Sequence, residues 1–292
     1  MKPSQSLYVT IRGLRYHVRH WGREGAPKLF LLHGRMDVSA SFQFFVDALK
    51  GDWQILAPDW RGFGLTEWSG QDAYWYADFI ADLHLLLQHF EPDRPATVIA
   101  HSMGGNVAGL YSGVRPGRIS RLINLEGFAW PGIGADEAPK RYSLWIDDLT
   151  DYSGFRDYDS FEALADRLMK NNSRLSRNRA LFLAQHWGRE AAGGRVALRC
   201  DPAHKRVDPV LFRADEAMAC WRTITAAVLW IEGELSDTHR RVLLSAEALA
   251  ERKRCIPKIA ERIISGAGHM IHHDQPERLA DTIERYLTEV PA

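Results

Sequence analysis

The chain has 292 residues, enough for one large α/β domain with an insertion or for two small domains. Hydrophobic residues make up 46% and charged residues 25%, the balance of a soluble globular chain. The 37 basic and 37 acidic side chains leave no net charge, which argues against a nucleic-acid or anionic-membrane partner.

The start, "MKPSQSLYVTIRG", has no charged-then-apolar signal segment. No apolar run approaches the roughly 18 residues of a membrane span. Cys200, Cys220 and Cys255 are odd in number and far apart. A reduced, cytoplasmic setting is therefore expected rather than a disulfide framework. No cysteine pair has metal-ligand spacing, and His269, His272 and His273 lack the two-histidine helix of a zinc hydrolase, so no metal is expected.

In chain order, "LYVTIRGLRYHVRH" (7–20) alternates in polarity about Gly13 and predicts a β-hairpin. "KLFLLHG" (28–34) is a continuous apolar run ending in glycine, the mark of a strand buried on both faces. A helix is expected over 39–50, a strand over 53–59 and an amphipathic helix over 76–90. "ATVIAH" (96–101) is strand, 103–114 helix and 119–127 strand. The alternation resumes with strand 226–233, helix 239–252, strand 259–265 and helix 276–290. Short buried strands alternating with helices predict an α/β fold, a mostly parallel sheet of about eight strands flanked by helices. Residues 128–222 break the rhythm and read as a mostly helical cap over the strands' C-terminal ends; 1–127 and 223–292 form the core domain.

In "AHSMGG", Ser102 stands on a strand-to-helix corner with small residues, Ala100 and Gly104, two places either side. This is the spacing of a nucleophile elbow, where bulkier neighbours would collide. The helix N-terminus beyond it favours developing negative charge. "LLHGRMD" ends an earlier strand, and its His33–Gly34 turn aims the Arg35 backbone N–H toward the same cleft. The N–H groups of Arg35 and Met103 are the expected oxyanion hole. The Arg35 side chain is open to carboxylate binding or to solvent. His269, on the loop after the last strand, is the expected general base. His272 and His273 are expected to cap the following helix or face solvent.

Taken together, "HGR", "PDWRGFG", "AHSMGG" and "GAGHMIHHDQPE", in this order, resemble the α/β-hydrolase superfamily, and more narrowly its capped serine-hydrolase-like and carboxylesterase members. The resemblance spans about residues 7 to 290 apart from the cap. It implies a serine esterase with a catalytic triad and an oxyanion hole, needing no cofactor and acting on a small-molecule acyl ester. The family's "DWRGFG" aspartate and arginine are usually structural, and here Asp59 and Arg61 are expected in a solvated turn.

The triad acid should fall between Ser102 and His269 in chain order. Asp237, in "WIEGELSDT", resembles the family's usual acid loop and is preferred; its competing role is helix capping. Glu126, in "LINLEGF", occupies the position used by some relatives, including certain haloalkane dehalogenases. A serine at the elbow disfavours the dehalogenase and epoxide-hydrolase branches, which normally use aspartate. The same triad would serve C–C bond or lactone hydrolysis, and a non-catalytic ligand-binding protein is the reading from another class. The aromatics of the cap, Trp130, Tyr142, Trp145, Phe155, Phe161, Phe182 and Trp187, are core by default, with some expected on an apolar acyl pocket.

Overall fold

The computed structural model describes residues 1–150, 154–238 and 244–290. Strands β1 (Ser4–Ile11) and β2 (Leu14–Trp21) form the expected hairpin. Arg12 and Gly13 at its turn both have positive φ, as a two-residue hairpin turn requires. Then follow β3 (Lys28–Leu32), α1 (Gln43–Ala48), β4 (Gln54–Pro58), α2 (Tyr76–Phe90), β5 (Ala96–His101), α3 (Met103–Val114) and β6 (Ile119–Leu125).

The segment between β6 and the next strand of the main sheet carries α4 (Ala138–Thr150), α5 (Phe161–Asn171), α6 (Arg177–Trp187), a small hairpin of β7 (Gly188–Glu190) and β8 (Val196–Leu198), and α7 (Ala214–Arg222). The core closes with β9 (Ala227–Gly233), α8 (Ala246–Arg254), β10 (Ile259–Ile264), the one-turn helix α9 (Ile271–Asp274) and α10 (Pro276–Glu289). Of the helix expected over 239–252, residues 239–243 lie outside the described residues; α8 is capped by Ser245, whose side chain accepts from the Ala248 amide.

The main sheet has eight strands in the order β1-β2-β4-β3-β5-β6-β9-β10, parallel from β4 onward. Its middle strands are buried on both faces, which is why they read as unbroken apolar runs. Along β3, Phe30 and Leu32 pack on one side with Phe79 and Leu83 of α2; Leu29 and Leu31 pack on the other with Phe45 of α1 and Ile283 of α10. Helices α5 and α6 share a small core of their own, around Leu164, Leu168 and Leu183. Helix α7 packs on the core helix α3, so closely that a Cβ at Gly113 would lie 1.9 Å from the Cys220 carbonyl oxygen. Among the described residues, no helix is long and apolar enough to cross a membrane.

Candidate active site

The strand order decides what meets at the sheet's C-terminal edge. β5 lies between β3 and β6, and β9 and β10 follow. Ser102, just after β5, is therefore flanked by the turn after β3 on one side and the end of β6 on the other.

Ser102 has φ 50° and ψ −115°, a conformation that costs a non-glycine residue about 1–3 kcal/mol and persists only where its surroundings dictate it. Here its N–H donates to the Leu125 carbonyl at 2.8 Å, and its own carbonyl accepts from the Asn106 amide at 3.0 Å. Gly104 is required at the corner, because a Cβ there would sit 2.5 Å from the Leu32 carbonyl oxygen.

His269 brings Nε2 to 3.1 Å from Ser102 Oγ. Its Nδ1 lies 3.0 Å from Glu126 Oε2. The carboxylate on the imidazole is thus that of Glu126, and the preference for Asp237 is corrected. The cause is topological. β6 is the neighbour of β5, so a carboxylate at its end is one strand from Ser102, whereas Asp237 follows β9, one strand further out. Glu126, with φ 58°, is turned off the strand direction and almost fully buried. Its Oε1 accepts from the Gly233 amide at 2.8 Å and its Oε2 from the Ser236 hydroxyl at 2.5 Å. The "GELSD" loop thus holds the Glu126 carboxylate through Gly233 and Ser236.

The His269 loop is fixed from below and from the inserted segment. His101 Nε2 donates to the His269 carbonyl at 2.9 Å. Asp274 accepts from the Gly268 amide at 2.8 Å and from Arg174 Nε at 2.7 Å. His272 and His273, expected at a solvated helix start, are both buried on α9 and correct that expectation. The His272 ring packs against those of Phe42 and His101. Burial pushes the His101 and His273 imidazoles well below the ordinary histidine range, which keeps these two rings uncharged. Asp37, His101 and His272 offer ligand atoms within 4.8 Å of one another. Asp37 is already bonded to the Val38 amide at 2.8 Å and the Ser41 hydroxyl at 2.8 Å, so the group reads as a polar network beneath the site.

Arg35 and Met103, the expected oxyanion donors, both border the cavity at Ser102. Met103 is the first residue of α3, so its N–H has no acceptor within the helix. Arg35 lies on the turn after β3, and both residues line one cavity with Ser102 and His269. The Arg35 guanidinium reaches across to the His204 carbonyl of the inserted segment.

Beneath the Arg35 turn, Trp60 donates through its backbone N–H to His33 Nε2 at 2.9 Å and through its indole to the His33 carbonyl at 3.0 Å. Burial lowers the His33 imidazole, in keeping with an accepting Nε2. Asp59 and Arg61 are buried here, not solvated. Burial would raise the Asp59 carboxyl, but His17 at 2.7 Å and the Leu65 amide hold it far below the usual range. Arg61 donates to Asp82 through Nε at 2.5 Å and Nη2 at 2.7 Å, and the Tyr16 hydroxyl joins Asp82 at 2.5 Å. A polar turn is buried because each charge finds a partner.

The cavity at Ser102 has a volume of about 390 Å³ and opens beside a larger cleft of about 780 Å³. Arg35, Tyr76, Trp130, Arg206 and Asp208 line both. Of the aromatics singled out in sequence, Trp130 is the one at this opening; its indole donates to the Tyr76 hydroxyl at 3.2 Å. Phe155 and Trp187 line a separate cavity of about 270 Å³ beyond Met36. Phe182 packs on Phe44, and Tyr142 is exposed. The cationic residues Arg141 and Lys205 of the cleft were not anticipated, because nothing in the sequence brings two such distant positions together.

A family model described as alpha/beta hydrolase fold matches residues 27–276. "Serine hydrolase-like protein" of Danio rerio is 24% identical over 276 residues, covering 91% of this chain and 83% of that protein. "Serine hydrolase-like protein 2" of Homo sapiens is 24% identical over 280 residues, covering 91% of this chain and 88% of that protein. A solved structure, the thioesterase domain from the curacin biosynthetic pathway, superposes with a TM-score of 0.87 at 21% identity, covering 97% of this chain and 99% of that one. The eight-stranded sheet and the match over most of the chain lead to one conclusion: this protein belongs to the α/β-hydrolase superfamily.

Proposed function

We propose that the protein is a serine hydrolase that cleaves carboxylic esters through an acyl-enzyme intermediate. The observation that carries this reading is the unbroken chain from Glu126 Oε2 to His269 Nδ1, and from His269 Nε2 to Ser102 Oγ, at 3.0 and 3.1 Å. His269 takes the Ser102 proton as Oγ attacks the acyl carbonyl. Glu126 holds the imidazole through Nδ1 and stabilises the charge it gains. The tetrahedral oxyanion is received by the Arg35 and Met103 amides. His269 then protonates the leaving alcohol, and water activated by the same imidazole releases the acid. Residues 128–222 act as the cap, closing the cavity over the nucleophile through Trp130, Ala203 and His204. The scheme asks for no cofactor.

Rapid-quench mass spectrometry with p-nitrophenyl acetate tests it. One acetyl group per chain, on Ser102, is the expected result. Turnover without an adduct on Ser102, or with the adduct on another residue, overturns the reading.

A further inference from the structure

The larger cleft beside the nucleophile carries a charge pattern that the neutral chain as a whole does not. Five basic side chains line it, Arg35, Arg141, Lys205, Arg206 and Arg213, against the two acids Asp208 and Glu216. Arg206 and Arg213 are paired with Asp72 and Asp215. The other three bond to neutral backbone carbonyls. Arg35 donates to His204, Arg141 to Asp208 through Nη2 at 2.5 Å and Nε at 3.2 Å, and Lys205 to Gly154 at 3.2 Å. Among the described residues, none of these three has a carboxylate at ion-pair distance. The Asp208 side chain accepts from the Val210 amide at 2.9 Å.

Between the cations the wall is apolar, with Ile80, Leu110, Ile133 and Phe212. A carbonyl bond orients a guanidinium or ammonium without neutralising it; Asp208 offsets Arg35 and Arg141 in part, three cations still outnumber it, and a low-dielectric wall strengthens their field. Such a surface selects a ligand with an apolar body and an anionic group.

We propose that the substrate is an ester or thioester bearing a phosphate or carboxylate group, which Arg35, Arg141 and Lys205 hold in the larger cleft while the scissile carbonyl lies at Ser102. The inference rests on the hydrolase reading above: water adds across the acyl–oxygen or acyl–sulfur bond, giving an acid and an alcohol or thiol. The anionic group stays intact and contributes binding.

Two matched pairs test it. p-Nitrophenyl hexanoate and the p-nitrophenyl monoester of adipic acid differ by a carboxylate on the acyl side. S-hexanoyl pantetheine and S-hexanoyl 4′-phosphopantetheine differ by a phosphate on the leaving group. In at least one pair the anionic member should have a kcat/KM higher by about tenfold or more, carried by KM, since a charge-assisted bond is worth that order. The preference should fall as salt is raised from 0.05 to 0.5 M, an explicit choice of about a threefold shorter screening length. In Arg141→Gln/Lys205→Gln the ratio should shrink to about twofold or less, as expected when two of the three cations are gone. Calorimetric titration of Ser102→Ala with hexyl phosphate and with hexanol reads the same preference without catalysis. Neutral members equal or better in both pairs, or no preference for hexyl phosphate, overturns the anionic assignment while ester turnover leaves the hydrolase reading standing. Preferential binding of hexyl phosphate without turnover of any ester does the reverse.

Discussion

Ser102 and Glu126 stand at the ends of β5 and β6, central strands with mostly buried side chains, and His269 on the loop after the edge strand β10, whereas α4, which supplies Arg141 to the cleft, buries none of its residues. The positions of Ser102 and Glu126 are thus set by the middle of the sheet. Each of the three is fixed twice over: Ser102 by the Leu125 carbonyl and the α3 start, Glu126 by Gly233 and Ser236, His269 by His101 and the Asp274 turn. The inserted segment is tied to the core by α7 on α3, by Arg174 and Arg179 at the α9 turn, and from Arg199 to His204, where Gly64 donates to the Arg199 carbonyl at 2.8 Å and His204 stacks between Phe63 and Tyr74 with ring centroids 3.8 Å from each. Chemistry needs atoms held to within fractions of an ångström, and rigid strand ends supply that. A surface segment tolerates replacement, and it carries two of the three cations proposed to hold the substrate, Arg141 and Lys205, with Arg35 on the core side.

Four changes break or sharpen this contrast, in falling order of effect. Ser102→Ala should reduce ester hydrolysis by roughly 10⁴-fold or more with little change in the melt, because only the nucleophile is lost. Steady-state rates beside a thermal melt check it, and near wild-type turnover would remove Ser102 from the mechanism. Asp82→Asn attacks the core half by leaving Arg61 buried without its closest carboxylate. It should cost about 3 kcal/mol in urea unfolding, the scale of a broken buried ion pair.

The third change probes one anchor of the inserted half through pH. Burial pushes the His204 imidazole down to about 3, despite the Arg61 carbonyl that accepts from its Nε2. Below about 6.5, the ordinary histidine value, the unfolded chain takes up a proton that the folded chain refuses. The stability tied to His204 is therefore complete above that pH and is lost as pH falls toward 3. Melts at pH 7 and pH 5 should show a smaller acid loss in His204→Phe than in the wild type; equal losses would deny the imidazole this role. Smallest is Ile146→Ser on α4, a 55% exposed side chain, which should move stability by no more than about 0.5 kcal/mol.

Much of the core half was legible in the sequence. The periodicity of "YADFIADLHLLLQHF" and the apolar run "ATVIAH" match α2 and β5 residue for residue, since each is buried along one face or both. What failed was what depends on the third dimension. Both Glu126 and Asp237 follow strands, and only the order β5-β6-β9 says which lies nearer Ser102. His272 and His273 precede a proline-initiated helix and read as solvated, yet the single turn of α9 folds them inward. Asp59 and Arg61 look like a polar turn, because their partners His17 and Asp82 are distant in sequence. The cluster of cations in the cleft was hidden for the same reason.

The most direct measurement is kcat for Glu126→Gln beside Asp237→Asn, on one p-nitrophenyl ester, with melts of both proteins. An isosteric amide keeps the shape but loses the tautomer control and the charge that support the imidazole. Glu126→Gln should therefore lose roughly 10⁴-fold and Asp237→Asn about tenfold or less. A dead Asp237→Asn beside an active Glu126→Gln would contradict the Glu126–His269–Ser102 chain.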